Sequence, residues 1–151
     1  MRKLMFRGKR KDYNVWVYGF YSYLFDEKAN DYKHEIVFQH MESADMSYPY
    51  PSCHTIWAEV IPETVGQLIC TIPNTSIYVD NSQELYEGDI FKTKGSETKY
   101  VARYDGYGEY YGISNEGDKY GAYTLRFTSQ NIKNKGIEII GSIHDNPELL
   151  T

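Results

Sequence analysis

At 151 residues, with 41% hydrophobic and 25% charged side chains, the chain has the size and balance of one globular domain, not of a disordered tail or a membrane protein. Its net charge of −5 hides an asymmetry: Arg2, Lys3, Arg7, Lys9, Arg10 and Lys11 against Asp12 make the first twelve residues +5 and leave −10 for the rest. An acidic body disfavours wrapping nucleic acid. No apolar run reaches the roughly 18 residues that span a bilayer, and Met1 to Gly8 offer no signal-peptide core, so the expected location is the cytosol.

The opening run Arg2 to Lys11 admits two readings. It could track a phosphate backbone, with Phe6, Tyr13 and Trp16 available for stacking. Leu4 and Phe6 alternate with charges, however, so a half-buried edge strand with Lys and Arg on its solvent face explains the same letters. Asn14 to Tyr21 places Val15 and Val17 on one face and Trp16, Tyr18 and Phe20 on the other, which predicts an interior strand covered on both sides. Asp26 to His34 and Met41 to His54, the latter with Pro49 and Pro51, read as excursions, with a short strand His34 to Gln39 between them. Thr55 to Ile61 reads as a strand, Pro62-Glu63-Thr64 as a turn or helix start, and Val65 to Ile72 as a further strand.

The second half is more regular. Strands are expected at Asp89 to Thr93, Lys99 to Tyr104, Tyr110 to Ser114, Tyr123 to Phe127 and Ile137 to Ile143, each set off by Gly, Asn or Asp. Sixteen tyrosines suit pleated, half-buried surfaces, and the close spacing leaves no room for crossover helices. The pattern therefore predicts a mainly β chain with few helical turns, an antiparallel meander forming a small barrel or sandwich. At the end, Asn146-Pro147-Glu148 resembles a helix start with Asn as N-cap, folding Leu149 and Leu150 back as a lid.

Chemistry-bearing groups are sparse. Glu87 and Asp89 in Leu85-Tyr86-Glu87-Gly88-Asp89-Ile90-Phe91 would share a strand face and suit an acid/base pair; the simpler account is a turn at Gly88 with the Asp89 carboxylate capping nearby amides. Cys53, His54, Cys70, His34, His40 and His144 lack zinc spacing, and two reduced thiols are the expected state of the cysteines. The Gly-rich run Asp105 to Gly112 lacks the Lys-Ser/Thr and following helix of a phosphate loop and reads as a hairpin tip. No catalytic, cofactor or metal site is expected.

Four stretches, in order along the chain, carry a resemblance. Phe6 to Arg10 with Trp16-Val17-Tyr18-Gly19, Pro62 to Gln67, Leu85 to Ile90, and above all Ile139-Ile140-Gly141-Ser142-Ile143-His144-Asp145-Asn146-Pro147-Glu148-Leu149-Leu150 are similar to the start, middle, central signature and ending of the YopX family of phage, prophage and mobile-element proteins. Residues 68 to 83 depart from that pattern, running Leu68-Ile69-Cys70-Thr71-Ile72-Pro73 where the family has a shorter loop. The resemblance implies a single domain over residues 1–151, built as two small β subdomains with a boundary near residues 68–84, and a tendency to assemble with copies of itself. It implies no established activity.

Together these readings lead to a phage or prophage accessory protein of the bacterial host cytosol: a non-enzymatic, oligomeric protein-interaction module whose exposed tyrosines contact protein. The alternative is a nucleic-acid-binding accessory using Arg2, Lys3, Arg7, Lys9, Arg10 and Lys11, and a third is an enzyme acting through Glu87 and Asp89.

Overall fold

In the computed structural model, which describes residues 4–42, 52–73, 82–104, 109–114, 124–128, 132 and 135–151, the chain is mainly β, as its strand-rich sequence implies. Eleven strands pair antiparallel, and helix among the described residues is confined to short turns. The chain divides into two units, Met1–Gln67 and Leu68–Thr151.

The first unit contains β1 (Phe6–Lys9), β2 (Trp16–Asp26), β3 (Asp31–Glu42) and β4 (Ser52–Glu59), in the sheet order β4-β3-β2-β1. A 3-10 turn, Pro62–Thr64, leads into β5 (Gly66–Ile72), whose first two residues pair with β1. The core face is set by alternation. Val17 on β2, Ile36 on β3 and Ala58 on β4 point the same way and meet Val60, with Phe6, Tyr21, Phe38 and Val65 packed around them. Gly8 lies against Val60, where an added Cβ would come 3.0 Å from the valine Cβ. The Thr64 hydroxyl accepts from the Lys9 amide at 2.9 Å and donates to the Ile61 carbonyl at 2.6 Å, fastening the turn to β1.

Three features of this unit differ from the sequence reading. β1 is not an edge: it lies between β2 and β5. β2 is interior, but only its Val17 face is covered, while Tyr18 and Phe20 are exposed. Asp26 to His34 is no excursion but the middle of a long hairpin. Only residues 27–30 turn, because the Asp26 carboxylate accepts from the Lys28 and Ala29 amides and Asn30 takes the left-handed conformation (φ 51°) that asparagine tolerates. The Lys33 ammonium, 2.9 Å away, and those amides hold the Asp26 carboxyl below its ordinary range. Of the expected excursion from Met41 to His54, residues 43–51 lie outside the described residues.

The second unit contains β6 (Gln83–Tyr86), paired with Leu68 to Ile72 of β5, and a five-stranded sheet in the order β10-β9-β8-β7-β11. Its strands are β7 (Asp89–Thr93), β8 (Lys99–Tyr104), β9 (Tyr110–Ser114), β10 (Thr124–Arg126) and β11 (Ile137–Ser142). Ile69, Leu85, Phe91, Ala102, Leu125 and Ile137 form the core. The Phe91 ring, stacked on Tyr100 with centroids 5.4 Å apart, fits because Gly112 has no side chain: a Cβ there would collide with the ring.

The chain ends in the expected single turn, Pro147–Leu150, but its cap differs. Asn146 makes no side-chain cap bond. In the preceding turn the Ser142 hydroxyl accepts from the amides of His144 and Asp145, both at 3.2 Å. Leu149 and Leu150 are half-buried, Leu149 lies over Gly141, and its carbonyl accepts from Lys99 Nζ at 2.7 Å. Deleting residues 146–151 should therefore lower stability by about 2 kcal/mol, close to half of full burial for each leucine, and Leu149→Ala with Leu150→Ala should reproduce most of that loss. Thermal melts of the two variants and the intact chain test this, and coincident curves would show that the ending closes nothing.

Candidate functional site

The paired carboxylates Glu87 and Asp89, the acid/base candidates of the sequence, lie at a turn. Between β6 and β7 the chain reverses through Glu87 and Gly88, the latter at φ 81°, a conformation other residues adopt only with strain. Asp89 is 2% exposed, and its Oδ2 accepts from the Tyr86 amide at 2.8 Å, so this carboxylate caps the turn. The Gly88 amide donates to the Ala102 carbonyl and the Gly88 carbonyl accepts from the Ile143 amide, each at 2.9 Å. Asp89 also stands opposite Ser142 in the β7–β11 register. The turn thus gathers the central stretch Leu85 to Ile90 and the ending that begins at Ile139, with the His144 ring within van der Waals reach of Gly88.

The basic arm is placed differently from a phosphate-tracking row. Arg7 and Lys9 are both 7% exposed and lie over the Trp16 ring, at 4.4 Å and 5.5 Å from its centroid. Arg10 grips Asp12 with two hydrogen bonds, and Lys11 pairs with Glu59. The Arg10 guanidinium holds the Asp12 carboxyl below its usual range. Arg2 and Lys3 lie outside the described residues, as do residues 105–108 of the expected glycine-rich hairpin tip.

The cysteines and histidines are scattered. Neither Cys53, which is exposed, nor Cys70, which is half-buried, is in a disulfide. His40 and His54 stand opposite each other across β3 and β4, a pairing that sequence spacing could not show. His34 instead accepts or donates a 2.5 Å hydrogen bond with the Tyr21 hydroxyl. Among the described residues no three His, Cys, Asp or Glu side chains gather in a way that could hold a metal ion.

What the sequence reading missed is an aromatic surface on the first sheet. On the face opposite the core, Phe20, Val37 and Trp57 form one row across β2, β3 and β4, with Tyr18 beside it. Phe20 and Trp57 are 67% and 55% exposed. A shallow depression there is lined by Met5, Tyr18, Phe20, Val37, Gln39 and Thr55. On the core-side face the rings continue into the hairpin: Tyr23 stacks on Tyr32 at 4.4 Å, flanked by His34 and Phe25. Alternation on β2 did place Tyr18 and Phe20 together; nothing in it says that face is left open.

A family model, YopX protein, matches residues 5–151. The chain belongs to the YopX family. No curated protein and no solved structure matches it. The YopX match runs through both units and includes the Gly88 turn and the ending from Ile139 to Leu150, which meets that turn at Ile143. In this YopX protein a backbone hydrogen bond joins Ile143 to Gly88, and the buried Asp89 carboxylate holds the turn itself. Asp89→Asn should therefore destabilise by about 1–2 kcal/mol, since an amide replaces a charged acceptor in a buried hydrogen bond, while the half-buried Glu87→Gln should cost much less. Chemical denaturation of both variants distinguishes them, and equal small effects would show that Asp89 caps nothing.

Proposed function

We propose that this YopX protein is a phage- or prophage-derived accessory protein of the bacterial host cytosol that works by binding, a non-enzymatic module that assembles with copies of itself and contacts protein. The observation that carries this reading is the exposed row Phe20, Val37 and Trp57 with Tyr18 beside it. Contiguous exposed aromatics cost solubility and mark contact surfaces, where tyrosine and tryptophan are enriched. Interaction is further supported by the depression beside Tyr18 and Phe20, whose open form suits a broad contact better than an enclosed small molecule.

The geometry gives the nucleic-acid alternative little support. Arg7 and Lys9 are buried beneath Trp16, and Arg10 and Lys11 are engaged by Asp12 and Glu59, so the described part of the arm offers no exposed cationic row. An enzyme acting through Glu87 and Asp89 is likewise disfavoured by the burial of Asp89 in its turn.

Light scattering of the intact protein at micromolar concentration should give a mass that is a multiple of 17.6 kDa. Phe20→Ser combined with Trp57→Ser should shift that mass toward the monomer without lowering the melting temperature, because both side chains are exposed. An intact protein that scatters only as a monomer would overturn self-assembly.

A further inference from the structure

Strands at the end of a sheet expose unpaired backbone donors and acceptors, and proteins blunt such edges with charge, shortness or bulges. Among the described residues four strands hold terminal positions, and three are blunted. β6 carries Glu84; β10 has three residues, one of them Arg126; β11 carries Glu138 and a register shift between Ile139 and Gly141. β4 is different. It runs eight residues in unbroken register against β3, and Ser52 to Ala58 contains no formal charge, no proline and no bulge. Among the described residues β3 is the only strand paired with Ser52 to Ala58, and just beyond that stretch the Glu59 carbonyl on the outer edge accepts from the Lys11 amide. Cys53, His54, Thr55 and Trp57 are exposed along it.

We propose that the outer edge of β4 is the docking surface for a second copy of this chain, pairing antiparallel with the same edge of its partner about a two-fold axis at Thr55. This pairing presupposes the self-association proposed above and gives it a surface. In a continuous sheet related by a two-fold axis normal to its plane, opposed residues must share a face, so one residue of the strand stands opposite its own copy. Thr55 is the midpoint of Ser52 to Ala58, and centring there overlaps the whole uncharged stretch. Seven paired residues span about 23 Å. Each Cys53 then faces the partner's Trp57, each His54 the partner's Ile56, and the two threonines face each other.

Charge selects the occupant. The chain is acidic overall, so the approach of a second copy is resisted wherever carboxylates meet, and Ser52 to Ala58 is a place where none do. An identical strand meets no like charge there, whereas a basic foreign strand finds no acid to answer it. The exposed Trp57 adds apolar area on the same face as Thr55, continuous with Val37 and Phe20.

Thr55 is exposed, so charged replacements leave the monomer fold intact. Thr55→Lys and Thr55→Glu should each weaken association at least about tenfold, because each puts two like charges directly opposite each other. Mixing the two variants should restore an associated species, and ion-exchange chromatography should show one Lys and one Glu chain in each pair. Independently, Thr55→Cys in a Cys53→Ser background should form a chain-to-chain disulfide under mild oxidation, since opposed Cα atoms lie about 4.5–5.5 Å apart and within bridging range. If the intact protein associates but both charge variants associate equally well, the β4 edge is overturned and self-assembly stands. If both variants dissociate and their mixture does not recover, pairing centred on Thr55 is overturned. An intact protein that is monomeric overturns self-assembly and this pairing together.

Discussion

The second unit hangs on one reversal of direction at Gly88. A residue at φ 81° must be followed by something that holds the turn, and the Asp89 carboxylate does so by taking the Tyr86 amide out of solvent. Once the turn is set, its two remaining backbone groups are committed in opposite directions, the amide to Ala102 on β8 and the carbonyl to Ile143 just beyond β11. One peptide therefore fixes the start of β7, a neighbouring strand and the exit of the last strand. A side chain at residue 88 would incur the left-handed penalty, whereas a Cβ there would meet Ile143 and His144 only at ordinary contact distance, so the constraint is conformational.

The first unit solves a different problem, which is to bury a basic strand. Arg7 and Lys9 point to the face of the sheet away from the Val17 core, where alternation alone would leave them in water. Trp16 closes over both, and attraction between cation and ring grows as water is withdrawn. The long aliphatic stems of both residues bury against the ring as well. Among the described residues of this arm the cations are consequently engaged within the fold: Arg7 and Lys9 by Trp16, Arg10 by Asp12 and Lys11 by Glu59.

Legibility followed the punctuation of the sequence. Asp89–Thr93, Lys99–Tyr104 and Tyr110–Ser114 were readable residue for residue because turn-forming residues separate alternating runs. The β2–β3 hairpin is hidden because Asp26, Asp31 and Lys33 look like part of a loop when the strands carrying them are solvated, and only the pairing of Phe25 with Tyr32 and Tyr23 with His34 shows otherwise. β1 was misplaced to an edge for a related reason: charged residues ordinarily mark solvent, and no local pattern shows that a tryptophan nine residues on will cover Arg7. Alternation tells which residues share a face but not which face is covered, so Tyr18 and Phe20 were grouped and then given the wrong environment.

The same distinction bears on where recognition lies. The stretches that carry the family resemblance are largely consumed by the scaffold. Gly8 packs on Val60, Thr64 fastens β1, Gly88 and Asp89 make the turn, and Gly141 leaves room for Asn146 and Leu149. A side chain committed to a turn, a cap or a close approach has few contacts left to offer another molecule. Phe20, Trp57 and Thr55 fall outside those stretches, sit at exposed positions, and stabilise the described fold little. Their exposure has a cost, since apolar area in water is unfavourable and an uncharged strand edge invites pairing. A surface that adds to no core and carries that cost is the one the proposed contact with another chain would use, on the open face and edge of the first sheet, apart from the motifs that mark the family.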